Sequence, residues 1–189
     1  MIPHNAVVAA RYFLEPALAQ AECVVDATAG NGQDVLFFCQ NTKPDCRIWA
    51  FDIQPAAINS CTRLLEQHGC RDRVHLIQSD HAAVTDYVTE PVNAAIFNLG
   101  YLPGQDHAIT TSPISLIPAV EGLFGLLAPD GRIGIVAYPG HEPGRLEVDY
   151  LESYLTSCPQ NLYTITRLSF INQINNPAIL YSIGKARRN

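Results

Sequence analysis

Charge is scarce in this chain: Asp, Glu, Lys and Arg make up 16% of its 189 residues, against 48% apolar residues. That balance excludes a disordered, self-repelling polymer and favours a well-buried interior. Long apolar runs are missing too. None reaches the roughly 18 residues that span a bilayer, and MIPHNAVVAARYFLEPALAQ has no basic stretch before an apolar core. Neither a membrane segment nor a secretory signal is expected. The six cysteines form no C-x-x-C pair, and the six histidines form no H-E-x-x-H. No metal site is expected, and the cysteines read as reduced core thiols of a cytoplasmic protein. There is no internal repeat, low-complexity run or inserted second domain, so residues 1–189 are expected to form one domain. A net charge of −6 argues against a broad nucleic-acid-coating surface, although a local patch is enough to hold RNA. The candidate contributors are Arg11, Lys43, Arg47, Arg71, Arg73, Arg145, Lys185, Arg187 and Arg188.

What is present centres on CVVDATAGNGQD, Cys23 to Asp34. Val24 and Val25 read as the end of a buried strand, residues 27–32 as a tight turn, and Gln33 or Asp34 as the start of a helix. Such a turn brings bare backbone N–H groups close to a ligand. The dinucleotide fingerprint G-x-G-x-x-G fails, because residue 35 is valine where the third glycine belongs. An acid, Asp26, ends the strand instead, and it would repel a pyrophosphate. An acid followed by Gly30 and Gly32 resembles the nucleoside-binding loop of class I S-adenosylmethionine (SAM) methyltransferases. The resemblance implies cofactor contacts from Asp26, Thr28, Gly30, Asn31, Gly32 and Asp34, with Asp26 meeting the cationic methionine end directly or through water. The competing reading is an ordinary turn of another α/β protein.

The rest of the chain alternates strands and helices. A helix is expected within Pro3–Leu18, from the spacing of Val7, Val8, Ala10, Phe13 and Leu14. Strand two, Arg47–Phe51, ends at Asp52, 20 residues beyond Gly32. An acid at that distance accepts from both ribose hydroxyls of a nucleoside. Ile53 then packs on the adenine and Gln54 opens the next turn. A second helix follows with Pro55 near its first position and Gly69 as its stop. Strand three, Val74–Gln78, leads to Asp80 and His81. Asp80 is a candidate for the exocyclic amine of the adenine and equally an N-cap for a helix over Ala82–Val88. Strand four, Asn93–Phe97, runs into NLGYLPGQDH, at the switch point where open α/β sheets bind ligands. A helix over Ser115–Leu127, strand five over Arg132–Ala137, the loop YPGHEPG and a helix over Arg145–Ser157 come next. Two strands, Leu162–Ile171 and Ala178–Ile183, close the chain as an antiparallel hairpin. This pattern predicts an α/β, Rossmann-like class I methyltransferase fold: a seven-stranded, mostly parallel sheet in the order 3-2-1-4-5-7-6.

Asn98 with Tyr101 is similar to the (D/N)-P-P-(Y/F) motif of amino-methylating enzymes, with Leu99 and Gly100 in place of the prolines. In that motif the side-chain amide oxygen and a backbone carbonyl, here of Leu99, hold an amine toward the methyl group. Four stretches, DATAGNGQD, NLGYLPGQDH, YPGHEPG and FINQINNPAILYSIGK, together resemble the MnmM (YtqB) family over nearly the whole chain. That family was long described as rRNA methylases. The chain departs from the family pattern at Gln105, Ala29 and Ala178, where glycine, methionine and proline are usual.

The resemblance implies methylation of the aminomethyl group on 5-aminomethyl-2-thiouridine at the tRNA wobble position, with SAM as cofactor and S-adenosyl-L-homocysteine (SAH) as product. The partner is the tRNA anticodon region, and a homodimer is implied. Asn98 and Leu99 orient the amine beside the cofactor, and Asp106 helps its proton leave or only caps the following segment. Tyr101 or Tyr138 stacks on the uracil, and Gly104 borders the substrate. His107 or His141 touches nearby backbone or phosphate. Two other readings stay open: a methyltransferase acting on rRNA or a small amine, and a SAM-binding module without turnover.

Overall fold

The computed structural model describes residues 2–100 and 113–186. Seven strands form one sheet: β1 Cys23–Asp26, β2 Arg47–Asp52, β3 Val74–Gln78, β4 Val92–Asn98, β5 Leu127–Ala137, β6 Tyr163–Leu168 and β7 Ile179–Lys185. Their order is β3-β2-β1-β4-β5-β7-β6. β1 to β5 pair in parallel, whereas β7 runs antiparallel to both β5 and β6. The expected order and the terminal hairpin are both observed.

Two apolar layers cover the sheet, because successive strand residues point to opposite faces. Val24, Ala94 and Ile96 join α1 (Ala6–Leu14), α2 (Gln33–Asn41) and α3 (Pro55–Gln67) on one side. Val25, Ala95 and Phe97 join α4 (Val84–Tyr87), α5 (Pro113–Leu126) and α6 (Glu142–Ser157) on the other. α1 lies close over β5: a Cβ on Gly134 would sit 3.6 Å from the Cβ of Ala10.

Several boundaries differ from expectation, each for a local reason. α1 stops at Leu14, and Pro16 opens a separate 3-10 turn, Glu15–Ala17, because proline cannot extend the α-helical ladder. The helix expected over Ala82–Val88 is a 3-10 turn, His81–Ala83, followed by the single turn of α4. β-Branched Val84, Thr85 and Val88 and the nearby Pro91 do not favour continuation. β5 begins at Leu127, which pairs with Val92; Pro129–Gly131 then bulge out before the ladder resumes at Arg132. α6 starts three residues early, at Glu142. His141 caps it, its Nδ1 accepting from the Gly144 N–H at 3.0 Å. Pro143 and Gly144, which punctuate a sequence as a loop, are tolerated in that first turn. β6 ends at Leu168, and Ile171, expected within it, is 99% exposed.

Candidate active site

The carboxyl ends of β3, β2, β1 and β4 open side by side into a cavity of ≈ 1060 Å³. At the end of β1, Asp26 is fully buried; its Oδ1 accepts from the Thr28 N–H at 3.0 Å, while Oδ2 has no partner among the described residues. Burial, reinforced by the nearby Asp34, raises the Asp26 carboxyl well above the usual carboxylate range. The loop turns through Gly30 (φ 52°) and Gly32 (φ 87°), both left-handed. Gly32 has a second reason to be glycine: a Cβ there would lie 2.9 Å from Cys61 Sγ on α3.

Asp52 ties the loop to β2. Its Oδ2 accepts from the Gly30 N–H at 2.8 Å and its Oδ1 from the Gln54 N–H at 2.9 Å. Two backbone donors therefore aim the carboxylate, and each oxygen keeps a lone pair for a ligand. Ile53 beside it lines the cavity 55% exposed, an apolar shelf for a ring. Asp80 is an N-cap, its Oδ1 accepting from the Ala82 N–H at 2.9 Å, and it also lines the cavity. His81 is buried, with its ring edge on Phe97 and Nε2 3.3 Å from Ser115 Oγ. Burial pushes it below the ordinary histidine value, against the opposing pull of Asp80 and Asp52.

On the other side stands Asn98. Its backbone N–H donates to Thr28 Oγ1 at 2.7 Å, its Nδ2 donates to Asp34 Oδ2 at 3.2 Å, and its Oδ1 accepts from the Tyr138 hydroxyl at 2.7 Å. The acceptor-only carboxylate of Asp34 decides which way the amide faces. Arg11, from α1, holds the other oxygen of Asp34 at 2.7 Å. Burial, then Asp34, raise the Tyr138 phenol above its usual value, so it remains a donor.

A family model described as "Putative rRNA methylase" matches residues 48–184. The chain belongs to that family. A tRNA (mnm(5)s(2)U34)-methyltransferase of Arabidopsis thaliana, described as chloroplastic, is 30% identical over 177 residues, which is 88% of this chain. The chain spans 65% of that relative's length. A structure from Clostridium thermocellum, described as a putative rRNA-methylase, superposes with a TM-score of 0.95 at 35% identity, covering 98% of this chain and 100% of the other. Another, from Streptococcus mutans, described as a putative methyltransferase in complex with SAH, gives 0.89 at 33% identity with the same coverage.

Of the residues singled out in this family member's sequence, Thr28, Gly30, Asn31 and Asp34 line the cavity from the first loop. Asp52, Ile53, Gln54, Asp80 and His81 line it from β2 and β3, and Asn98, Tyr138 and His141 from β4 and β5. Asp26 and Gly32 instead support the loop from behind, and the Leu99 side chain is in the core. Tyr101, Gly104, Asp106 and His107 lie outside the described residues. Sequence reasoning did not place Arg11 at the site, since one cation on a helix looks like any solvated charge. It also did not place Asn175 and Asn176, which line the cavity in left-handed conformations (φ 65° and 49°). Their signal was the unusual turn NQINNP, and asparagine is the non-glycine residue that best tolerates that region.

Proposed function

We propose that this chain transfers a methyl group from SAM to the primary amine of 5-aminomethyl-2-thiouridine at the tRNA wobble position. The residues present fit the cofactor. Asp52, aimed by two amides, receives the ribose hydroxyls, exposed Ile53 supports the adenine, and the outer oxygen of Asp80 takes its amino group. SAM supplies an electrophilic methyl on a sulfonium and leaves as SAH.

The observation that carries the reading is Asn98. A side-chain amide at the end of β4 opens into the nucleoside cavity and is locked between Asp34 and Tyr138. Its Oδ1 keeps one lone pair beyond the bond from Tyr138, enough to accept from a substrate N–H and hold the nitrogen in line. A neutral amine needs no covalent intermediate, so positioning is the main tool, worth roughly 7–11 kcal/mol in favourable cases. Tyr138 borders the place of the uracil ring, and His141 the adjoining backbone. Asp106 is assigned the amine proton. The name of the Arabidopsis relative supports the same acceptor.

The test is methyl transfer from labelled SAM to bulk tRNA from cells lacking this gene, followed by nucleoside mass analysis. A gain of one methyl on aminomethyl-thiouridine is expected. No transfer to that tRNA, with SAM still bound, moves the acceptor to rRNA or a small amine.

A further inference from the structure

Arg11 is the only lysine or arginine among the described residues that line the cavity. Its surroundings are otherwise acidic: Asp34, Asp52 and Asp80 face the same space, with Asp26 behind the loop. A ligand carboxylate entering there meets repulsion from three sides unless it reaches this guanidinium. Arg11 is built in rather than dangling. α1 buries Ala6, Ala9, Ala10 and Leu14, which leaves Arg11 on the helix flank toward α2. Its guanidinium lies 5.4 Å from the centre of the Phe37 ring. Nε and Nη2 both donate to a single oxygen, Asp34 Oδ1, at 2.8 and 2.7 Å. Nη1 finds no acceptor among the described residues, and a guanidinium carries five donors in a fixed fork.

The sheet supplies direction. Asp80 and Asp52 stand at the β3–β2 side and take the nucleoside, whereas Asn98 stands at the β4 side. The amino-acid end of SAM must leave the ribose toward β1 and β4, where Asp34 and Arg11 stand side by side. That end is a zwitterion, and a carboxylate next to a guanidinium is its mirror. We propose that Arg11 receives the α-carboxylate of the cofactor's methionine and that Asp34 receives its α-ammonium. The ion pair then has two tasks, pinning α1 to α2 and closing the cofactor's tail.

This inference rests on the cofactor, not on the choice of RNA acceptor. It is tested by calorimetric titration of the intact protein with SAH and with S-adenosyl-3-thiopropylamine, which lacks only the carboxylate. The wild type should prefer SAH by about tenfold or more, the size of one charge-assisted contact. Arg11→Met should bind the two ligands within about twofold of each other, and Arg11→Lys, which keeps the charge, should retain part of the preference. Equal binding of the pair by the wild type overturns the inference, as does a preference that survives in Arg11→Met. A residue that only staples helices weakens both ligands by one factor and leaves their ratio unchanged, so loss of stability does not imitate the result. If neither ligand binds the wild type, it is the cofactor reading that fails.

Discussion

The two halves of the cavity are built from different materials. At the β1–β2 side the ligand-facing acid is held by backbone: Gly30 donates to Asp52 from the β1–α2 turn and Gln54 from the β2–α3 turn. At the β4–β5 side the working group is held by side chains distant in sequence. Asn98 bonds to Asp34 across 64 residues and to Tyr138 across 40. Backbone donors cost little ordering once the turn has formed, and they are indifferent to what binds beyond. A side-chain chain is cooperative and fragile, since each member's orientation depends on the next. One half therefore serves a constant ligand, and the other can be adapted to a particular acceptor by changing a few side chains.

The largest break in that comparison should come from Asn98→Ala. It removes the oriented amide and leaves the nucleoside side untouched. Turnover is expected to fall about 10²- to 10³-fold, as when one preorganised polar group is removed, while SAH affinity stays within about threefold by calorimetry. A parallel loss of SAH binding would mean that Asn98 serves the cofactor first. Asp52→Asn is the converse. The amide oxygen can keep one backbone donor, but the –NH2 end confronts the other. SAH affinity should drop about 30-fold, equivalent to about 2 kcal/mol. Turnover at saturating SAM should change far less. Tyr138→Phe sharpens the acceptor half. It deletes one donor to Asn98 Oδ1 and nothing from the nucleoside side. A loss of about five- to tenfold in kcat is expected, with SAH binding unmoved. An unchanged kcat would show that Asp34 alone suffices to hold the amide.

Legibility followed the same division. The order of strands, the place of Asp26 ahead of the glycine turn and that of Asp52 at the end of β2 were readable because they depend on short spacings and alternating apolar runs. The link from Asn98 to Asp34 was not, because no local pattern states that a side chain on α2 will stand beside the end of β4. Arg11 read only as one of several scattered basic residues, because its pairing with Asp34 joins two helices that no local pattern brings together. Gly144 misled in a different way. In sequence, Pro143-Gly144 suggests a break, yet a Cβ there would come within 2.1 Å of the Tyr138 carbonyl. The glycine is there to let α6 start tight against that loop, which also brings Tyr138 and His141 to the same cavity wall.

The smallest effect on function, and one of opposite sign on stability, is expected from Asp26→Asn. Asp26 Oδ1 is used by Thr28, but Oδ2 is buried with no partner among the described residues, and burial holds the carboxyl toward its neutral form. The sign follows from linkage. In the unfolded chain Asp26 ionises above its ordinary value of 3.8, whereas in the fold it does so only at much higher pH. Between those two values the unfolded state has released a proton that the native state retains, so stability falls as pH rises through that window. Asparagine keeps an oxygen for Thr28 and never ionises, so it removes this penalty. Asp26→Asn should therefore be more stable than the wild type in denaturant melts at pH 7. The gain should shrink toward nothing as the pH approaches 4, with SAH affinity changed less than in Asp52→Asn. A gain that is independent of pH would mean that the carboxyl does not titrate differently in the fold. A variant less stable at pH 7 would mean that a group at the unpartnered oxygen needs the charge. Selection would then have kept a costly acid beneath the loop for the positively charged ligand above it, a trade of stability for function common at binding sites.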